Sequence, residues 1–368
     1  MTSPIKVLVV DDSAFMRKLI SDFLKGDSRF QVVATARDGL DAIKKVKQFQ
    51  PDVVTLDIEM PEMNGLDALK VIMSENPTRV VMLSSTTQEG AENTVTAIEY
   101  GAVDFIAKPS GAISLDLHKI KGEILTKILM ASKANIRGVS SATALTTNTQ
   151  IANKLDSKET SIVKQDGKPI VGSMISTGKK LLCIGTSTGG PRALQQVLTK
   201  LPATIDAPIL IVQHMPAGFT KSLAIRLDTL CAIRVKEAED GDTLQKGTAY
   251  IAPGGYHLKV KSVGSNLNIY LDSSDPRNGH RPAVDVMFES IAQLKGYEKV
   301  AVIMTGMGSD GTLGLKALKN SGSTIAIAES EESSIVFGMP KSAIATNLVD
   351  EVEHLEKISS TILKYINA

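Results

Sequence analysis

The sequence contains no tryptophan and only two cysteines in 368 residues. Two thiols in so long a chain exclude a disulfide framework and point to a reducing compartment. Aromatic residues amount to 4 %, so the core must be built from Val, Ile, Leu, Ala and Met. Excess charge is also missing. Forty-one basic and 40 acidic residues leave a net +1, which argues against a nucleic-acid-coating protein. No apolar run approaches the roughly 18 residues of a spanning helix. The first run, Ile5–Val10, ends in Asp11-Asp12 and is too short for a signal peptide. These absences predict a soluble, cytoplasmic protein with neither nucleic-acid binding nor membrane insertion.

What is present is ordinary globular composition, 43 % hydrophobic and 22 % charged, with length for two or three domains. Charge divides the chain. Residues 1–130 carry 15 basic and 18 acidic residues, residues 131–178 carry 6 and 3, and residues 179–368 carry 20 and 19. The middle segment has no aromatic residue, 13 of its 48 residues are Ser or Thr, and it lacks a sustained apolar period. It reads as a linker. Its scattered Ile and Val leave open a docking strip against a domain.

In the first 130 residues, short β-branched runs alternate with amphipathic stretches: Ile5–Val10, Gln31–Ala36, Asp52–Asp57, Arg79–Ser84 and Ala102–Ile106. This predicts a five-stranded doubly wound parallel sheet. The last 190 residues repeat the style as a larger doubly wound α/β domain. Strands are expected at Leu181–Gly185, Pro208–Gln213, Lys299–Thr305 and Ser323–Ala328, and helices at Pro191–Leu201, Pro282–Leu294 and Glu351–Asn367. Between Cys231 and Leu271, the short runs Ala249–Ala252, His257–Val260 and Leu267–Leu271 suggest a hairpin-rich insertion at the sheet edge.

Open parallel sheets bind ligands at the carboxyl ends of their strands. Asp11 and Asp12 follow the first strand, Asp57 ends the third, Ser84 ends the fourth and Lys108-Pro109 follows the fifth. Each aspartate alone fits a capping role. Together they gather three carboxylates, which repel unless a cation sits among them, and Mg²⁺ fits that need. With Mg²⁺ and Lys108 neutralising phosphate oxygens, one carboxylate can form an acyl phosphate. The set Asp11-Asp12, Asp57, Ser84, Phe105 and Lys108-Pro109 resembles a response-regulator receiver domain. The resemblance implies Asp57 as acceptor of a phosphoryl group from a histidine kinase. It implies metal binding by Asp11, Asp12 and the carbonyl of Ile58 or Glu59, and makes Ser84 a phosphate partner. Phe105 becomes the aromatic that turns inward when Ser84 shifts. On its own, an aromatic in a terminal strand is also simply core.

In the second half, Gly185-Thr186-Ser187-Thr188-Gly189-Gly190-Pro191 follows an apolar strand. Small residues permit a sharp strand-to-helix turn, and Pro191 suits the first helical turn. Three readings stand: a Gly-rich turn with Ser187 as N-cap, a phosphate loop, or a nucleophilic serine. The phosphate-loop spacings are absent, and the string is not the GxSxG elbow. A nucleophile needs a base and an orienter. Of five histidines, His118 and His354 lie in amphipathic stretches and read as surface. His257 lies in the insertion and His280 in a turn. His214 ends a strand on the same rim as Ser187, so it is the favoured base, against a buried structural role. Asp310, in Thr305-Gly306-Met307-Gly308-Ser309-Asp310-Gly311, is the candidate orienter, against N-cap of the helix starting near Thr312.

These strings, with Gln213-His214-Met215-Pro216, Ala252-Pro253-Gly254-Gly255-Tyr256-His257 and His280-Arg281-Pro282, resemble the chemotaxis protein-glutamate methylesterases of the CheB family. The resemblance implies Ser187 as nucleophile, His214 as general base then acid, and Asp310 as orienter. Thr188 and the Met307-Gly308 turn are the oxyanion-hole candidates. Pro191 departs from a longer-chain residue at that position without touching the triad. Implied partners are the cytoplasmic helices of chemoreceptors, as substrate, and a chemotaxis histidine kinase, as phosphodonor. The implied reaction hydrolyses glutamate methyl esters and deamidates particular glutamines, without a metal at that step. The competing expectations are a receiver-fronted transcription factor, disfavoured by the size and neutrality of the second half, and a non-catalytic phosphorylation-dependent interaction module.

Overall fold

The computed structural model describes residues 3–108, 117–136 and 179–367. Pro109, the His118 side chain and the segment 137–178 lie outside them. The first half alternates strictly: β1 (Ile5–Val10), α1 (Ala14–Lys25), β2 (Phe30–Ala36), α2 (Gly39–Phe49), β3 (Val53–Asp57), α3 (Gly65–Glu75), β4 (Arg79–Ser84), α4 (Gln88–Glu99), β5 (Asp104–Ala107) and α5 (Leu117–Lys133). The sheet order is β2-β1-β3-β4-β5, with every pairing parallel. Val7 through Val10 are fully buried, as expected of a strand covered by helices on both faces. Ser13, Asp38, Asn64 and Thr87 each cap the following helix through a side-chain oxygen, so polar residues set where each helix starts.

The second half runs β6 (Lys179–Thr186), α6 (Gly190–Leu198), β7 (Ile209–Gln213), α7 (Phe219–Leu230), β8 (Arg234–Glu237), β9 (Thr248–Ile251), β10 (His257–Val263), β11 (Asn266–Asp272), α8 (Val284–Ala292), β12 (Tyr297–Ile303), α9 (Thr312–Asn320), β13 (Thr324–Glu329), α10 (Met339–Ile344), β14 (Glu351–Glu353) and α11 (Leu355–Ile366). Seven strands form one sheet in the order β14-β13-β12-β6-β7-β9-β8. The central strands are the apolar runs seen in the sequence, and their carboxyl ends share one rim.

Three local expectations change. The run Ala249–Ala252 is not part of a hairpin. As β9 it pairs in parallel with β7 and β8, and the hairpin is β10–β11 alone. The stretch Glu351–Asn367 is not one helix, because Glu351–Glu353 adds an edge strand to β13 before His354 caps α11. Helix α5 ends at Lys133, inside the segment read as linker, and Asn135 then bonds Ile335 O and Glu332 O across to the second half.

The two halves touch through α4 and α7. Phe105 stacks on Phe219 with centroids 4.6 Å apart. Arg226 on α7 makes a two-pronged ion pair with Glu99 at the end of α4.

Candidate active site

The receiver-like rim gathers its acidic residues as expected. One ligand oxygen from each of Asp11, Asp12 and Asp57 lies within 4.8 Å of the others. Asp11 and Asp57 are buried, while Asp12 is exposed. Lys108 Nζ reaches Asp57 Oδ2 at 2.6 Å and Asp11 Oδ2 at 3.1 Å. These are ion-pair distances without hydrogen-bond alignment, since neither oxygen has a directed partner. Burial, then repulsion from Asp11, pushes the Asp57 carboxyl up to about 6 despite Lys108. Three converging oxygens, two of them buried with undirected lone pairs, fit a hard divalent cation. Ile58 O accepts from Gly65 N at 2.8 Å, which leaves it one lone pair.

Ser84 is fully buried, and its hydroxyl donates to Gly90 O at 2.9 Å. It therefore ties β4 to the first turn of α4. Phe105 is 3 % exposed and lies against Phe219 of the second half. Lys127 Nζ of α5 stands over its ring, 4.8 Å from the centroid. Burial opposes the Lys127 charge, and Asp104 and Glu123 outweigh it.

On the second rim, β6 delivers Ser187 into a turn closed by Gly189 at φ 79, where an L side chain would be strained. Ser187 N donates to Thr305 O at 3.0 Å and His214 N to Thr186 O at 3.2 Å. Thus β12 and β7 flank the serine on either side. Gln213 Nε2 donates to Ser187 O at 3.0 Å. His214 Nε2 lies 2.8 Å from Asp310 Oδ2. Asp310 is not the N-cap of α9, which begins after Gly311. Its carboxylate instead accepts from Val284 N at 2.7 Å and Asp285 N at 3.0 Å, at the start of α8, and from Gly311 N at 3.0 Å. Burial alone would raise the Asp310 carboxyl. The His214 bond and charge, with the two α8 N–H groups, hold it down to about 2.

With Asp310 ionised, Nε2–H of His214 is the donor, and the lone pair is on Nδ1. That Nδ1 is buried with no hydrogen-bond partner among the described residues. Ser187 Oγ likewise has no hydrogen bond among them, so the serine–histidine contact is open here. The N–H groups of Thr188, Met307 and Gly308 also donate to no acceptor among the described residues. These three, with Ser187, His214 and Asp310, line one cavity of about 660 Å³. A histidine, a serine and three residues with free N–H groups lining one space suit acyl transfer, in which negative charge develops on a carbonyl oxygen.

Sequence reasoning passed over two residues at this site. His280 was left as a turn residue, yet its ring stacks on His214, with centroids 3.9 Å apart and planes 10° apart. Burial, then the neighbouring His214, lowers it to about 4, so it lies neutral against the base. Asp104, on β5 of the first half, accepts from Thr188 Oγ1 at 2.5 Å. No sequence spacing signals a contact between residues so far apart in the chain. Asp104 and Lys127 line the cavity with the serine, so the first half forms one of its walls.

Residues 182–362 match the CheB methylesterase family and residues 7–120 the response regulator receiver domain. The chain is 56 % identical over 364 residues to a protein-glutamate methylesterase/protein-glutamine glutaminase of Halalkalibacterium halodurans, covering 99 % of both chains. It is 47 % identical over 362 residues to one of Pyrococcus abyssi, covering 98 % of this chain and 94 % of that one. The crystal structure of the Thermotoga maritima CheB methylesterase catalytic domain is similar at 46 % identity and TM-score 0.50, over 52 % of this chain and all of that one.

Proposed function

Since the chain belongs to the CheB methylesterase family and carries a receiver domain ahead of its esterase domain, we propose how these residues divide the work. The protein is a phosphorylation-regulated protein-glutamate methylesterase and protein-glutamine glutaminase. The receiver runs to the end of α5 at Lys133, a connector follows, and the catalytic domain begins with β6 at Lys179. Ser187 is the nucleophile, His214 the base through Nδ1, and Asp310 the orienter. The observation that carries this assignment is the His214–Asp310 bond at 2.8 Å, which leaves Nδ1 unpartnered on a residue that lines the same cavity as Ser187.

As Ser187 Oγ bonds to the ester carbonyl carbon, its proton passes to His214 Nδ1. The carbonyl oxygen becomes an oxyanion within reach of the N–H groups of Thr188, Met307 and Gly308. Collapse breaks the ester C–O bond, and His214 returns the proton to the departing methanol. Water then repeats the sequence on the acyl-enzyme, giving glutamate and free Ser187. A glutamine side chain follows the same course with ammonia leaving. Asp310 stabilises the transient imidazolium, and no metal takes part in this chemistry.

Substrates are the cytoplasmic helices of chemoreceptors, and the phosphodonor is a chemotaxis histidine kinase acting on Asp57. Asp11, Asp12 and Asp57 would hold Mg²⁺, which supplies charge neutralisation for the incoming phosphoryl oxygens; Lys108 adds to it. Among the described residues no helix is long and apolar enough to cross a membrane, in keeping with a cytoplasmic site of action. Regulation follows from the shared wall. Ser84 bonds α4 through Gly90, and α4 and Phe105 contact α7. Drawing Ser84 toward a phosphoryl group on Asp57 would release that tie and loosen the wall.

The test is methanol release from methylated receptor membranes, with and without a small phosphodonor. Ser187→Ala should abolish release under both conditions, and persistent release would refute the assignment.

A further inference from the structure

Glu329 ends β13 with no exposed surface. A buried carboxylate is costly unless hydrogen bonds compensate it, and both of its oxygens are used. Oε2 accepts from Thr305 N at 2.8 Å, and Oε1 accepts from Ser333 Oγ at 2.9 Å. The β12–β13 ladder ends at Ile303 and Ala328, and beyond them Glu329 pairs with Glu353 of β14. Thr305 has therefore run past its ladder partner, and the carboxylate takes the place of the missing strand carbonyl.

Thr305 in turn holds the nucleophile turn from two points. Its carbonyl accepts from Ser187 N at 3.0 Å, and its hydroxyl donates to Thr188 O at 2.9 Å. The peptide before the serine and the carbonyl of the next residue are thus fastened to one residue, and that residue's N–H is fastened to Glu329. Behind the turn lies a second cavity, of about 430 Å³, lined by Gly189, Thr305 and Glu329.

We propose that Glu329 is a positioning residue of the esterase, holding Thr305 and, through its carbonyl and hydroxyl, the place of Ser187 and of the Thr188 carbonyl. The inference rests on Ser187 being the nucleophile. Burial pushes the Glu329 carboxyl up to about 7 against its bonds from Thr305 and Ser333. A neutral amide is therefore a fair substitute, and the needed property is an acceptor at that point rather than charge.

The experiment measures kcat and KM for methyl ester hydrolysis by the full chain in Glu329→Gln, Glu329→Ala and Ser187→Ala. It adds the rate at which a fluorophosphonate labels Ser187. Glu329→Gln should keep kcat within about threefold. Glu329→Ala should lower kcat and the labelling rate together, by on the order of 10- to 100-fold, with KM within about twofold. A wild-type kcat in Glu329→Ala overturns the proposal, as does a change in KM alone or a Gln variant as impaired as the Ala variant. Should Glu329→Ala not fold, Glu329→Asp, which withdraws the acceptor by one methylene from the Thr305 N–H, answers in its place, with about tenfold lower kcat expected and an unchanged kcat overturning it. Activity surviving in Ser187→Ala would sink the underlying assignment. Loss there with normal Glu329→Ala sinks only this inference.

Discussion

The hydroxyl of Thr188, the residue after the nucleophile, donates to Asp104 of the receiver at 2.5 Å. A hydrogen bond to a charged group contributes about 1.5–3 kcal/mol. The Phe105–Phe219 stack contributes about 0.5–1.5 kcal/mol beyond burial. The Arg226–Glu99 pair has an arginine side chain 47 % exposed and contributes at most about 1 kcal/mol. Of these three contacts the strongest is the bond made at the catalytic turn itself; the α4–α7 packing and the two Asn135 bonds add to the closed arrangement.

Removing that bond should raise basal activity. Asp104→Ala is expected to increase methyl ester hydrolysis without phosphodonor by on the order of tenfold, with a smaller further gain on phosphorylation. An unchanged basal rate would show that the contact does not restrain the enzyme.

The exposed ion pair should matter less. Arg226→Ala is expected to raise basal activity by no more than about fivefold, and only at low salt. Equal effects at low and high salt would contradict an electrostatic origin.

Asp57→Asn should retain basal hydrolysis and lose stimulation by a phosphodonor, read as methanol release. Full stimulation of this variant would disprove the route from Asp57 through Ser84 to α4.

Much of this site was legible because each functional residue follows directly on an apolar run. Ser187, His214, Asp57 and Lys108 come just after strands whose buried residues are continuous in sequence. The carboxyl-end rule then places them on a rim. Asp104 was not legible, because its role depends on how two sheets meet. Nor was Glu329, which reads as the polar end of a strand until β12 and β13 are in register. The edge strand β14 was hidden because three residues, Glu351–Glu353, are too few to interrupt a helical pattern. Asp310 was legible as the orienter, but its bonds to the start of α8 were not, since α8 precedes it in sequence and reaches it only through the fold.

Acid titration tests that double attachment. Asp310 is held near 2 when folded, below the roughly 3.9 of a free aspartate. The folded state therefore binds fewer protons there, so this stabilisation is full above about pH 4 and lost as pH falls toward 2. Asp310→Asn should be less stable at pH 7 in urea unfolding. It should lose less additional stability than the parent between pH 4 and 2, and its kcat should fall by on the order of 10⁴-fold. An identical acid slope in the variant would contradict the assignment.

Asp310 Oδ2 receives both the His214 imidazole and the Val284 N–H. The start of α8 and the poise of the base share one atom, so a substitution at this residue draws on stability and activity together, and a gain in one cannot be tuned there without touching the other.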